Sequence, residues 1–238
     1  MDMILRRLLP SLLLSLALLS SAPVAAAQET CKPGDSDASN PDGSRLRVRT
    51  GCGDDGAAYF DFFSSARGTS GFVPALQAET ADAEPPTGVY FEDLNKDGYP
   101  EIVARGMCGA GPNCLGEVYR WNKKAKKLER FLSSGWADLH FVDGYLITAG
   151  RASCCSWEFS AYRWDRNSGH GDDADRELSV EVASETLDES EDEPIVRCTF
   201  SRKTEGEWHV VPPPSPAWLK FCETYGKTYH IEGPEDRD

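Results

Sequence analysis

From Leu46 onward apolar and polar residues alternate with a period of two, and a chain patterned this way forms β-strands with one face turned inward. Arg45-Leu46-Arg47-Val48-Arg49 alternates cleanly, Ala58-Tyr59-Phe60-Asp61-Phe62 repeats the pattern, and Gly88-Val89-Tyr90-Phe91 adds a third segment. A run of hairpins follows. Segments 117–121 and 128–131 flank the turn-like Asn122-Lys123-Lys124-Ala125, and segments 139–142 and 145–148 flank Asp143-Gly144, a dipeptide that strongly specifies a two-residue hairpin turn. Further strands are expected at 157–162, 178–182, 195–200 and 207–211, with a last turn or strand between Trp218 and Ile231. Long amphipathic helices are absent from the pattern. The sequence therefore predicts an all-β domain over residues 45–232, an antiparallel β-sandwich or small barrel of hairpins with long loops.

The flanks read differently. Arg6-Arg7, an apolar stretch over 8–19 and Ala25-Ala26-Ala27 have the order of a secretory signal peptide, residues 1–27. Cys31 follows Ala27-Gln28-Glu29-Thr30, which is not a lipobox, and no later stretch is apolar enough to span a bilayer. The expected location is periplasmic or secreted. Residues 28–44 read as a flexible leader, residues 64–87 as a long surface connection with a short helix near 74–78, and residues 233–238 as a disordered tail. The formal net charge is −14, a field that disfavours nucleic acid and anionic membranes and favours cations or a basic protein. Acids crowd two segments, around Asp172, Asp173 and Asp175 and over 184–193.

All eight cysteines lie beyond residue 27, and an even count in an exported chain reads as a disulfide framework. Local pairing suggests Cys31–Cys52, Cys108–Cys114 and Cys198–Cys222. Cys154 and Cys155 then either bridge each other or reach across to Cys108 or Cys114. A vicinal bridge would be reducible, which leaves a redox role open. Two Gly/Cys segments, 106–121 and 150–164, both end in Tyr-Arg-Trp. Hairpin grammar and internal duplication explain this equally well.

The run Asp93-Leu94-Asn95-Lys96-Asp97-Gly98-Tyr99-Pro100-Glu101 carries the chemistry. Hard divalent cations take about six to eight oxygens, and calcium tolerates the irregular cage of a tight loop. Asp93, Asn95 and Asp97 offer side-chain oxygens at alternate positions, Gly98 permits the bend, and the Tyr99 carbonyl and Glu101 carboxylate would close the cage. An EF-hand needs a glutamate at its twelfth position. That place is held here by Ala104, and Ile102-Val103-Ala104-Arg105 reads as a strand. The competing reading is an Asx-rich turn without metal.

Catalytic grammar is missing. His140 and His209 fall within strand patterns, His170 lies in a glycine-rich loop, and neither a Gly-x-Ser-x-Gly elbow nor a His-Glu-x-x-His motif occurs. Gly109-Ala110-Gly111 lies between cysteines, which fits a closed turn better than a phosphate cradle. Residues 123–127 are too small a basic patch for nucleic acid.

With its strand flanks, the loop resembles those of FG-GAP and VCBS-type repeats, of the form D-x-N-x-DG-x-x-D/E. From Val89 to about Trp164 the chain resembles a family of exported proteobacterial β-proteins with a single such loop, through residues 91–102, the Gly/Cys-rich loop after them and Val118-Tyr119-Arg120-Trp121-Asn122. That family is similar in fold to periplasmic inhibitors of invertebrate-type lysozyme, and some members act as immunity proteins against peptidoglycan hydrolases. The resemblance implies a non-enzymatic binding protein with a cationic peptidoglycan hydrolase as partner. No Ser-Gly-x-x-Tyr-like inhibitory loop is present, so no inhibitory residue carries over, and the acidic segments around Asp172 and Glu189 are the candidate contact surface. Two rival expectations are a secreted hydrolase using a carboxylate pair about 5–9 Å apart and a structural or adhesive envelope module stabilised by calcium.

Overall fold

The computed structural model describes residues 31–54, 57–77, 88–165, 175–185 and 195–237. The expected signal peptide and the acidic positions 172, 173 and 189 lie outside them. Three antiparallel meanders follow one another along the chain. β1 (Gly34–Ser39), β2 (Arg45–Cys52), β3 (Ala58–Ser65) and β4 (Val73–Gln77) make the first sheet. The second contains β5 (Gly88–Glu92), β6 (Glu101–Cys108), β7 (Cys114–Asn122) and β8 (Lys127–Trp136). The third runs through β9 (Asp138–Val142), β10 (Tyr145–Arg151), β11 (Ser156–Arg163), β12 (Arg176–Glu185), β13 (Ile195–Thr204) and β14 (Glu207–Val210), with β15 (His230–Ile231) added parallel to β13. A 3-10 turn (Pro216–Trp218) and the four-residue α1 (Leu219–Cys222) cap the third sheet. The protein is all-β apart from such short turns, antiparallel and disulfide-bonded, and its sheets stay open rather than closing into a barrel.

The sheets stack in series. Leu46, Val48 and Phe62 of the first pack against Ile102, Ala104 and Tyr119 of the second, with the Phe62 and Tyr119 rings edge-on at 4.8 Å. The other face of the second sheet presents Val103, Val118, Phe131 and Trp136 to Leu146 and Tyr162 of the third. The far face of the third buries Ile147, Phe159, Val180 and Phe200 under Trp218 and Phe221. A strand covered on both faces gains from apolar residues at every position. This is why Ile102-Val103-Ala104 and Leu146-Ile147 break the alternation seen in β2, which meets another sheet on one face only.

Three expectations are corrected. Residues 28–44 are not simply a leader, because residues 34–39 form β1, paired with β2 in register from Gly34↔Thr50 to Ser39↔Arg45. This polar strand is held by backbone bonds and cross-strand charge, Arg47 meeting Asp37 at 2.6 Å and Asp35 at 3.1 Å, and neither leaves a hydrophobic signature. Residues 73–77 form β4 instead of a helix, with Pro74 on a sheet edge where its missing N–H costs nothing. Residues 234–237 form a 3-10 turn within the expected tail.

Other features follow the local sequence. Asp143 and Gly144 both have positive φ, 48° and 80°, as a tight hairpin requires. The cysteines pair as Cys31–Cys52, Cys108–Cys114, Cys154–Cys155 and Cys198–Cys222. The two Gly/Cys segments take equivalent places. Each links the second and third strands of a meander, and Tyr119 and Tyr162 each face the preceding sheet.

Candidate functional site

Residues 93–100 connect β5 to β6, whose register ends at Glu92↔Glu101. Two apolar residues pin the loop to opposite faces of the second sheet. Leu94 packs into the core shared with the third sheet, and Tyr99 into the core shared with the first. The polar residues between them are left to organise the turn. Asp93 accepts from the backbone N–H of Asp97 at 3.1 Å and of Gly98 at 2.9 Å. Asn95 Oδ1 accepts from Asp97 N–H, and Asp97 Oδ1 from Tyr99 N–H, each at 2.9 Å. Lys96 and Gly98 have positive φ, and a Cβ at residue 98 would sit 3.0 Å from Pro41 in the β1–β2 turn. Glycine is therefore favoured at 98 by its positive φ and by the close approach of Pro41.

Glu101 opens β6 with only 2% of its surface exposed, and its Oε2 accepts from Leu94 N–H at 2.9 Å. Burial raises its pKa to about 8, the Leu94 hydrogen bond opposes that rise, and the charges of Asp97 and Asp93 add to it. A buried acid whose acidic neighbours disfavour its ionisation is a group that a bound cation would relieve.

One cation of the chain already reaches the loop. Lys123, from the β7–β8 turn, places Nζ 2.8 Å from Asp97 Oδ2 and 4.0 Å from the centre of the Tyr99 ring. Its position in a basic turn hints at a charge partner, but nothing local to residue 123 identifies Asp97. The donor set suits a hard divalent ion in type and order: three carboxylates, one amide oxygen and a backbone carbonyl, with the Asx oxygens oriented by N–H bonds that leave further lone pairs. Among the described residues, however, no three His, Cys, Asp or Glu side chains are gathered as a metal-holding group. Of the expected ligands, Asp93, Asn95, Asp97 and Tyr99 lie in the β5–β6 loop and Glu101 at the first position of β6, with Asp97 held by Lys123.

Elsewhere, His140 of β9 is half-buried, its ring centre 5.4 Å from that of Phe221 and 6.4 Å from that of Phe159. His209 and His230 are exposed on strands, and His170 lies outside the described residues. Asp143 accepts from Trp218 Nε1–H at 3.0 Å and from Ser215 Oγ–H at 2.6 Å, which fastens the C-terminal cap to the β9–β10 turn. No helix of the described residues is long and apolar enough to cross a membrane.

No family model matches the chain. No curated protein matches it either. Among solved structures it is similar to a Xanthomonas type IV secretion system related protein, with a TM-score of 0.43 and 14% identity over 78% of this chain and 97% of that one. It is also similar to a thermostable family-43 glycoside hydrolase, with a TM-score of 0.26 and 10% identity over 77% and 76% of the two chains. At these values neither likeness establishes a common fold or activity.

Proposed function

We propose that this is an exported binding protein whose loop 93–101 takes calcium and whose acidic surface engages a cationic protein, a peptidoglycan hydrolase of the lysozyme type being the partner class implied by the resemblance at 91–122. The observation that carries the metal reading is Glu101: a carboxylate at the start of β6, almost wholly buried, turned back onto the N–H of Leu94 in a loop that also holds Asp93 and Asp97. In a purely structural turn an acid is a costly choice here. Without a cation it must either carry a buried charge or hold a proton with its pKa raised to about 8, and a neutral side chain would cost less to bury. Calcium would be held by Asp93, Asn95, Asp97, the Tyr99 carbonyl and Glu101. Its role would be electrostatic, cancelling the repulsion among three carboxylates and stiffening the β5–β6 connection.

Export is supported by the signal-like residues 1–27 and by four disulfides, which persist in oxidising compartments. The protein reading rests on the net charge of −14 and on steering between opposite charges. Two assays test the parts separately. Calcium-dependent melting addresses the loop, and inhibition of cell-wall lysis by a panel of lysozyme-type hydrolases addresses the partner. Absence of inhibition across several hydrolase classes would remove the partner reading and leave a calcium-stabilised envelope module.

A further inference from the structure

Stacked sheets normally fill the space between them with interdigitating apolar side chains. Part of the seam between the second and third sheets departs from this: beside Tyr162 of their shared core it is lined by polar residues, Ser134 of β8, Thr148 of β10, Glu158 and Ser160 of β11 and Arg176 of β12. Between them lies a cleft of about 260 Å³. We propose that this cleft is a binding site for a single neutral sugar ring or a polyol of similar size, independent of the calcium loop.

The volume falls just below the range of about 300–1,000 Å³ usual for small-molecule pockets, which sets the occupant at one ring rather than an oligomer. The chemistry narrows it further. Arg176 is ion-paired with Glu158 and donates to Ser160 Oγ at 3.1 Å, while Ser179 Oγ–H donates to Glu158 at 3.3 Å. A free phosphate or carboxylate would meet Glu158 as well as Arg176 and be repelled by it. A sugar hydroxyl can donate to the carboxylate and accept from the guanidinium at once. Thr148 lies on the cleft wall with 4% of its surface exposed, and its hydroxyl has only a long 3.4 Å bond to the Ser160 carbonyl. Further hydroxyl chemistry is thus on offer inside a largely apolar sandwich.

The rim is fixed in advance. Asn113, in the loop closed by Cys108–Cys114, donates to the Arg151 carbonyl at 3.0 Å and accepts from Arg151 N–H at 2.8 Å. The Arg151 guanidinium donates to the carbonyls of Ser153 and Cys154, beside the Cys154–Cys155 bridge. Two disulfide loops, one from each sheet, therefore hold the mouth of the cleft. A pocket kept open in this way avoids much of the ordering cost of binding.

The test is a backbone-amide NMR titration of the disulfide-intact protein with D-glucose, D-galactose and D-mannose, with inorganic phosphate as the anionic arm. At least one hexose is expected to shift the amides of Thr148, Ser160 and Asn113 saturably, with a dissociation constant of about 1 mM or tighter. Glu158→Gln should weaken that binding by about tenfold or more. Ser160→Val, which places methyl groups in the cleft, should abolish it with the melting temperature of the protein retained. If Glu158→Gln fails to fold, Ser160→Val together with Thr148→Val carries the test. No hexose response up to about 20 mM, binding of phosphate alone, or hexose shifts that survive Ser160→Val would each overturn the proposal.

Discussion

Lys123 Nζ lies 2.8 Å from Asp97 Oδ2, so the β7–β8 turn lends a positive charge to a carboxylate of the β5–β6 loop. Each side chain is partly exposed, which limits the strength of the pair to about 1 kcal/mol or less. A calcium ion taken up through Asp97 would have to share or displace that amine. Lys123→Gln should therefore tighten calcium binding by up to about fivefold, read by isothermal titration. Unchanged or weaker binding would show that Lys123 does not compete.

The disulfides should differ sharply in their effect on stability. Cys198 and Cys222 are fully buried, 24 residues apart, and tie α1 to β13. Replacing both by alanine should cost about 2–4 kcal/mol in denaturant unfolding. Cys154 and Cys155 are adjacent and exposed, so their bond closes almost no chain and restricts the unfolded state little. The Cys154→Ser/Cys155→Ser double variant should change stability by less than about 1 kcal/mol.

Acid should loosen the third sheet through His140. Burial is the largest influence holding its pKa below the usual histidine value. The positive charge of Lys220 acts in the same direction, and Asp138, 3.7 Å from Nε2, opposes both. The unfolded chain therefore takes up the proton more readily than the folded one. The stability contributed by neutral His140 is complete above the ordinary histidine pKa of about 6.5 and is lost as the pH falls through the lower folded value. His140→Phe should flatten the pH dependence of the melting temperature below about pH 6.5. A slope identical to that of the wild type would contradict this assignment.

Gly116 tests the packing between β6, β7 and β8. A Cβ at this position would lie 2.5 Å from the Trp136 ring and 2.8 Å from the Ala104 carbonyl. Trp136 is almost wholly buried between the second and third sheets and cannot easily give way. Gly116→Ala should destabilise the fold by about 1–3 kcal/mol, measured by chemical unfolding.

Much of the architecture is legible wherever the deciding interaction is short-range. The period of two in β2, the Asp143-Gly144 turn and the Asx pattern at 93–97 all act through neighbouring residues, and each lies where the sequence places it. β1 escaped because its partners are arginines ten to fourteen positions away and its own residues are polar. β4 escaped because Pro74 is tolerated only on an edge, and edge status is a property of the sheet. Serial stacking of three sheets leaves only the short apolar runs of β6 and β10 as a trace, and periodicity alone cannot distinguish such runs from helix. At the loop, the ligand types could be read in order, but Lys123 is 26 residues from Asp97. The cleft draws residues from five separate segments and has no local signature at all.

The calcium loop is tested most directly by differential scanning calorimetry of the disulfide-intact protein in excess calcium and in chelator, with Asp97→Ala and Glu101→Gln in parallel. At a free calcium concentration about a hundredfold above the dissociation constant, binding should add about 2.7 kcal/mol. For a chain of this size that is a rise of roughly 5–10 °C in melting temperature, lost in both variants. The same melting temperature for the wild type in calcium and in chelator would contradict it.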